Sequence, residues 1–172
     1  FAQGVVREAG QIALDRYRRR DSLTIERKGR QDFVSEADKA CEEFVVGALL
    51  KAFPGDAVLG EECGAQNAGG EATWIIDPID GTTNFIAGIP VWCVSLGLVI
   101  GGKSVLGIIY NPVTEELYTA QAGAGAFLNG KRIRVSNAQK LDEARMHLGF
   151  SYRRPIQEHV SAVTACLEAS CE

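Results

Sequence analysis

The sequence has few of the residues that would support several common chemistries. Histidine occurs only at His147 and His159, far from the carboxylate motifs described below and not on a shared helical face, so both read as structural and a zinc site is not expected. The five cysteines, Cys41, Cys63, Cys93, Cys166 and Cys171, include no C-x-x-C pair, and an odd count of this kind favours reduced thiols and a cytoplasmic setting. Cys41 and Cys93 fall in apolar helix and strand contexts and read as small core residues. No apolar run approaches a membrane span: residues 91–100 are mostly apolar but too few, and Gly101-Gly102-Lys103 ends them as a turn. An excess of positive charge is also missing. With 18 Lys and Arg against 22 Asp and Glu, the net charge is -4 and the pI about 5.3, which weighs against a broad nucleic-acid footprint. The local cluster Arg16, Arg18, Arg19 and Arg20 falls where the first helix ends, a place where cations suit the helix dipole. Neither an internal repeat, a low-complexity segment nor a recognisable signal peptide is visible. The chain opens at Phe1 without a methionine, so preceding residues are expected, and a cleaved leader stays open.

What is present is enough for one sizeable core: 172 residues, 46% of them hydrophobic, with a mean hydropathy near zero. Val5, Ala9, Ile12, Ala13 and Tyr17 recur at helical spacing. A second helix is predicted from Ser35, with a buried stripe of Ala37, Cys41, Phe44, Val45, Ala48, Leu49 and Ala52 and a stop at Pro54-Gly55. The period then changes. Residues 57–59 and 74–76 read as strands, and 92–100, 104–110 and 116–121 as a meander separated by Gly-Gly-Lys and Asn-Pro-Val-Thr turns. Asn129-Gly130 predicts a tight hairpin between 126–128 and 132–135. Beyond residue 137 the pattern predicts one more strand at 144–150 and a helix over 155–170. Consecutive strands joined by short turns imply an antiparallel sheet with the leading helices on one face, an α+β fold.

The most informative stretch is Trp74-Ile75-Ile76-Asp77-Pro78-Ile79-Asp80-Gly81-Thr82-Thr83-Asn84-Phe85. A short apolar strand runs into Pro78, which cannot continue a ladder, so a turn is expected with Asp77 at the strand's end. The two carboxylates Asp77 and Asp80 are thereby crowded. Unit charges about 4 Å apart repel by roughly 4 kcal/mol at an effective dielectric near 20, a conflict that a divalent cation would remove. Gly81 permits close backbone approach, Thr82 and Thr83 offer hydroxyls, and a short helix starting there would aim free N–H groups at an anion. A dication beside an anion-binding turn suggests a phosphate ester attacked by water. The plainer alternative is an Asx-type turn in which one Asp caps local backbone, but it needs neither the second carboxylate nor the paired threonines.

This run resembles the signature of the inositol monophosphatase family, lithium-sensitive and magnesium-dependent sugar phosphatases. The resemblance extends upstream through Lys28-Gly29-Arg30-Gln31-Asp32-Phe33-Val34-Ser35-Glu36-Ala37-Asp38 and Gly60-Glu61-Glu62, and downstream through Gly123-Ala124-Gly125-Ala126-Phe127-Leu128-Asn129-Gly130. It implies two helices packed on a largely antiparallel sheet within an αβαβα sandwich like that of fructose-1,6-bisphosphatase. Residues 1–136 would form the metal- and phosphate-binding domain, and 137–172 the start of a second α/β domain that the chain does not complete. The family carries a further metal-ligating aspartate in a Trp-Asp-x-Ala-Ala-Gly setting that this sequence does not contain.

By resemblance, the metal ligands are Glu61, Asp77, the carbonyl of Ile79, and Asp80, holding two or three magnesium ions. Asp80, Gly81, Thr82 and Thr83 would receive phosphate. Glu61, Thr82, Asp38 and Lys28 would be catalytic, with Thr82 bonding the attacking water, Asp38 orienting Thr82, and Lys28 on a mobile loop near the third metal. Ser35-x-x-Asp38 reads equally as a helix capping box, and Lys28 equally as a solvated lysine. The implied reaction is direct displacement at phosphorus by metal-activated water, without a covalent enzyme intermediate. Substrates would be inositol monophosphate or a similar small polyol or sugar phosphate, with histidinol phosphate as an alternative, and the protein a cytoplasmic homodimer with neither membrane nor nucleic acid as partner. A reading from another class is a regulatory protein that binds transcription machinery or RNA, as bacterial extragenic suppressors of the family do.

Overall fold

The structure, a computed structural model, describes residues 1–22, 24–29, 32–149 and 154–169. Helix α1 (Ala2–Tyr17) buries Val5, Val6, Ala9, Ala13, Leu14 and Tyr17 along one face, as the helical spacing requires; Ile12, expected on that face, is only half-buried. Gly10 lets this helix approach the sheet, because a Cβ there would meet the Tyr110 ring at 2.6 Å. A short antiparallel ribbon, β1 (Ile25–Gly29) with β2 (Asp32–Ser35), then leads into α2 (Glu36–Ala52), capped by Ser35 and ended at Phe53, just before Pro54. The buried face of α2 is Ala37, Asp38, Cys41, Glu42, Val45 and Leu49. It therefore includes two carboxylates in place of the expected Phe44, Ala48 and Ala52, of which Phe44 and Ala48 are half-buried and Ala52 exposed.

Eight further strands form one sheet: β3 (Ala57–Gly60), β4 (Gly64–Gln66), β5 (Ala72–Asp80), β6 (Cys93–Ile100), β7 (Lys103–Asn111), β8 (Glu116–Gln121), β9 (Gly125–Leu128) and β10 (Lys131–Ile133). Their order is β10-β9-β8-β7-β6-β5-β3-β4. Every pairing is antiparallel except β3 with β5, so the sheet is mixed toward its β4 edge. The fold is α+β with a largely antiparallel sheet. Val58, Trp74, Ile76, Val94, Leu96, Ile108, Tyr110 and Leu117 line the face under α1 and α2 and close the main core with Val5, Val6, Ala9, Cys41, Val45 and Leu49. Leu59, Ile75, Ile109 and Tyr118 alternate onto the opposite face and are each at least 36% exposed.

A second, smaller cluster gathers Ala13, Leu14, Tyr17, Ala37, Ile79, Phe85 and Trp92. Its three aromatic rings lie 4.9 to 5.4 Å apart in tilted and edge-on arrangements, and Tyr17 Oη donates to the carbonyl of Gly88 at 2.7 Å. This cluster packs beneath the turn that follows β5.

The chain divides into two compact units, Phe1–Ile133 and Arg134–Glu172. In the second, α4 (Ile156–Glu168) follows a short helical turn at Leu141–Glu143. The strand expected at 144–150 is not formed over 144–149, and Phe150 lies outside the described residues. An apolar run becomes a strand only where a neighbour takes up its ladder hydrogen bonds, and the described residues of this unit contain no other strand.

Candidate active site

Strand β5 does not end at Asp77 as Pro78 suggested. It continues to Asp80 across a bulge: Asp77 pairs with Ser95 and Asp80 with Cys93, so β5 carries one extra residue in this interval. A bulge leaves one residue without a ladder bond, which is what a proline lacking an N–H requires. The bulge also redirects side chains. Before it, Asp77 shares a face with Ile75, away from the helices; after it, Ile79 turns inward, 1% exposed, into the aromatic cluster. Gly81 follows in the left-handed region at φ 95°, and helix α3 (Thr82–Ala87) starts directly after it. A Cβ at Gly81 would lie 3.0 Å from the Val91 carbonyl and 3.3 Å from Trp92 Cα, so the turn is pressed against the segment entering β6.

Glu61 reaches Asp77 because β3 runs parallel to β5 and in register, Gly60 opposite Ile76. Burial, then the charges of Glu61 and Asp80, then a side-chain hydrogen bond with Glu61 push the Asp77 carboxyl up to about 7. One local interaction opposes this, the Ile79 N–H donating to Asp77 Oδ1 at 3.2 Å. That contact is the Asx-like cap of the plainer reading, and it uses only one oxygen of the pair. Burial and the neighbouring charges thereby favour the neutral form of Asp77 beside Glu61. Asp80, one bulge away, is exposed; its Oδ2 lies 3.9 Å from the Cys93 thiol, which burial and the Asp80 and Asp77 charges push up to about 12.

Among the described residues, no three His, Cys, Asp or Glu side chains are already drawn into a closed metal cage. The Ile79 carbonyl is occupied by the Thr82 hydroxyl, which donates to it at 3.0 Å. The donor set nonetheless fits a hard dication. It consists of oxygens only, it crowds Asp77 against the charges of Glu61 and Asp80, and among the described residues none of the three pairs with a lysine or arginine.

Asp38 resolves the alternative posed by Ser35-x-x-Asp38, because it does both jobs with different oxygens. Its Oδ2 accepts from Ser35 N at 2.9 Å and from Ser35 Oγ at 2.6 Å, while Ser35 Oγ accepts from Ala37 N at 3.2 Å; this is the capping box of α2. Its Oδ1 lies 3.4 Å from Thr82 Oγ1, 44 residues away in sequence. Burial raises the Asp38 carboxyl above its ordinary range against the lowering effect of the Ser35 donors. Thr82 is half-buried and Thr83 exposed on the first turn of α3, where backbone N–H groups have no acceptor within the helix. Lys28 has its backbone in β1, a strand of the ribbon and not a loop; its side chain lies outside the described residues.

The structure thus brings together Glu61 with Asp77, and Asp38 with Thr82. Asp80, Gly81 and Thr83 adjoin them in sequence without closing a cage. Glu42, which sequence reasoning passed over, is 1% exposed under the turn that carries Glu61. The signal was available: positions 38, 41, 42, 45 and 49 lie on one helical face, so Glu42 belongs to the stripe that buries Cys41 and Val45.

Residues 1–170 match the profile of the inositol monophosphatase family. The chain is 51% identical to inositol monophosphatase 2 of Solanum lycopersicum over 128 residues, covering 72% of this chain and 48% of the relative. It is 41% identical to Nus factor SuhB of Pseudomonas aeruginosa over 156 residues, 89% of this chain and 58% of the relative. The crystal structure of extragenic suppressor protein suhB from Bartonella henselae superposes with a TM-score of 0.91 at 34% identity, covering 96% of this chain and 64% of that one. The chain spans about half the length of the curated relatives it matches. A bulged β5 carrying Asp77 and Asp80, an in-register Glu61 and the Asp38–Thr82 contact are thus features of a chain that belongs to the inositol monophosphatase family.

Proposed function

We propose that the chain supplies the metal- and phosphate-binding part of a magnesium-dependent phosphate monoester hydrolase acting on inositol monophosphate or a similar small polyol or sugar phosphate. The observation that carries this reading is the crowding of Asp77 against Glu61 and Asp80 beside the Gly81–Thr82 turn. Glu61, Asp77, Asp80 and the Ile79 carbonyl are the groups that would hold magnesium, two or three ions by analogy with the family. When bound, magnesium would neutralise the crowded carboxylates and acidify an attacking water. The N–H groups of Gly81 and Thr82, with Thr83 beside them and Asp80 at the strand's end, meet the phosphate oxygens as charge builds on them. Asp38 Oδ1 holds the Thr82 hydroxyl, so that this hydroxyl and the Glu61 carboxylate fix the position from which water attacks phosphorus in line. Lys28 adds positive charge from the ribbon. No side chain forms a bond to phosphorus.

Residues 1–136 then act as the chemical domain and 137–172 as the beginning of an α/β domain that contributes substrate selectivity. Sensitivity to lithium, a homodimer and a cytoplasmic setting belong to the same reading. The test is phosphate release from a panel of inositol, fructose, histidinol and nucleotide phosphates, with and without magnesium and lithium. Magnesium-dependent release that vanishes in Asp77→Asn supports the proposal, and near-normal release in that variant overturns it. A second reading, regulation through a protein or RNA partner, is favoured by relatives named Nus factor SuhB. It predicts that Asp77→Asn keeps its cellular role while losing phosphate release.

A further inference from the structure

The carboxylate of Glu42 makes no contribution to the reading above, yet it is among the most deeply buried groups in the chain. Its two oxygens accept backbone hydrogen bonds from the turn that follows β3: Glu62 N–H reaches Oε2 at 2.9 Å and Oε1 at 3.2 Å, and Cys63 N–H reaches Oε1 at 2.6 Å. A charged carboxylate accepting backbone donors makes short and comparatively strong bonds, so this turn is fastened from below at the two residues following Glu61. Gly60, the residue preceding Glu61, supplies a second observation. A Cβ at Gly60 would collide with the Glu42 carboxylate and with Cys63 Sγ, so the absence of a side chain at Gly60 is what lets Glu42 seat itself. The glycine in Gly60-Glu61-Glu62 is not in the left-handed region; close approach of Glu42 is the steric reason for it.

We infer that Glu42 is a positioning residue that sets Glu61 against Asp77, by clamping the backbone on the far side of Glu61 while the in-register β3–β5 pairing fixes the near side. The inference rests on the proposed role of Glu61 as a magnesium ligand. In metal sites, partners that orient ligands typically cost 10- to 100-fold in affinity when removed. Glu42 acts on the metal only through Glu61, so its removal should matter only while Glu61 is present.

The experiment is isothermal titration of magnesium chloride into purified wild-type protein and into Glu42→Gln, Gly60→Ala, Glu61→Gln and the double variant Glu42→Gln/Glu61→Gln, with metal-free thermal unfolding recorded for each. Glu42→Gln keeps the side chain's size but turns an amide toward two N–H groups; Gly60→Ala displaces an intact Glu42. The expected result is a roughly 10- to 100-fold weaker magnesium affinity in both single variants, and no further loss when Glu42→Gln is added to Glu61→Gln. A purely structural role would instead lower the unfolding midpoint and cost the same fold-change in both backgrounds, which overturns the inference. Unchanged affinity in both Glu42→Gln and Gly60→Ala overturns it as well, with the metal site left standing. Wild-type protein that binds no magnesium removes the metal site itself and this inference with it. If Glu42→Gln unfolds without metal, Gly60→Ala alone decides, read by the same affinity and by its coupling to Glu61→Gln.

Discussion

Two groups of carboxylates lie close together in this chain and are treated in opposite ways. Asp38 and Glu42, on the inner face of α2, are 2% and 1% exposed, and each is supplied with donors: Ser35 N, Ser35 Oγ and Thr82 Oγ1 for Asp38, and the N–H groups of Glu62 and Cys63 for Glu42. Glu61, Asp77 and Asp80, at the ends of β3 and β5, are more exposed, and the donors recorded for them among the described residues are the Ile79 N–H and the weak Cys93 thiol. Asp77 is pushed toward its neutral form by burial and by the charges of the other two. A buried charge that is fully hydrogen-bonded serves structure, whereas crowded carboxylates without donors are left for a cation that arrives from solution. The first group shapes the turns on which the second is mounted.

Asp77→Asn should break the comparison most severely. Asparagine keeps the size of the side chain but removes the charge, so magnesium-dependent phosphate release should fall by more than about a hundredfold, the scale of losing one preorganised electrostatic group. The same change removes the repulsion with Glu61 and Asp80, so the metal-free protein should melt no lower than wild type, and calorimetry without magnesium checks this. A loss of both activity and metal-free stability would place Asp77 with the structural group instead.

Gly81→Ala comes next. At φ 95° an alanine carries about 1–2 kcal/mol of backbone strain, and its Cβ would press on the Val91 carbonyl at 3.0 Å. A destabilisation of about 2 kcal/mol, measured by urea unfolding, is expected together with weakened phosphate inhibition. Asp38→Asn should be milder, costing about 1 kcal/mol through the weakened cap of α2 and lowering turnover more than KM, because the charged group beside the Thr82 hydroxyl is removed while the Ile79 carbonyl still holds that hydroxyl. Equal changes in the two kinetic constants would mean that Asp38 serves the cap alone.

The unequal legibility of these two groups has a physical cause. Crowded donors at a strand end form a local pattern: Asp77-x-x-Asp80-Gly81-Thr82 announces itself within six residues, and the family resemblance added Glu61 and Asp38. The meander was legible for the same reason, since its short apolar runs and the turns that separate them, Gly101-Gly102-Lys103 and Asn111-Pro112-Val113-Thr114, are local signals. Glu42 was legible only in part: its place on the buried face of α2 is a local signal, but its partners are 20 and 21 residues away. The ribbon of β1 and β2 and the three-residue β4 were passed over, being short segments without clear alternation. Pro78 misled in the opposite sense, because a proline that forbids a ladder bond does not forbid a bulge. At 144–149 an apolar run was read as a strand without evidence of a neighbour to pair with it.

The most specific effect concerns pH. The Asp77 carboxyl lies at about 7 in the folded, metal-free chain against an ordinary value of 3.8. Between those values the folded state binds more protons than the unfolded state, so this group lowers stability progressively as pH rises through that window, and the loss is complete above about pH 7. Magnesium competes with the Asp77 proton. At pH 8 a magnesium concentration a hundredfold above its Kd should stabilise the fold by about 2.7 kcal/mol. At pH 5, two units below the Asp77 value, competition should weaken apparent affinity about a hundredfold, at about 1.4 kcal/mol per unit, and most of that stabilisation should vanish. Asp38, also raised by burial, lowers metal-free stability in the same sense, so Asp77→Asn provides the control. Thermal unfolding with and without magnesium chloride should give a large increment at pH 8 and a small one at pH 5 in wild type, and small increments at both in the variant. Equal wild-type increments at the two pH values would show that the cation does not displace a proton from Asp77, and the distinction between donor-rich and donor-poor carboxylates would then lose its functional meaning.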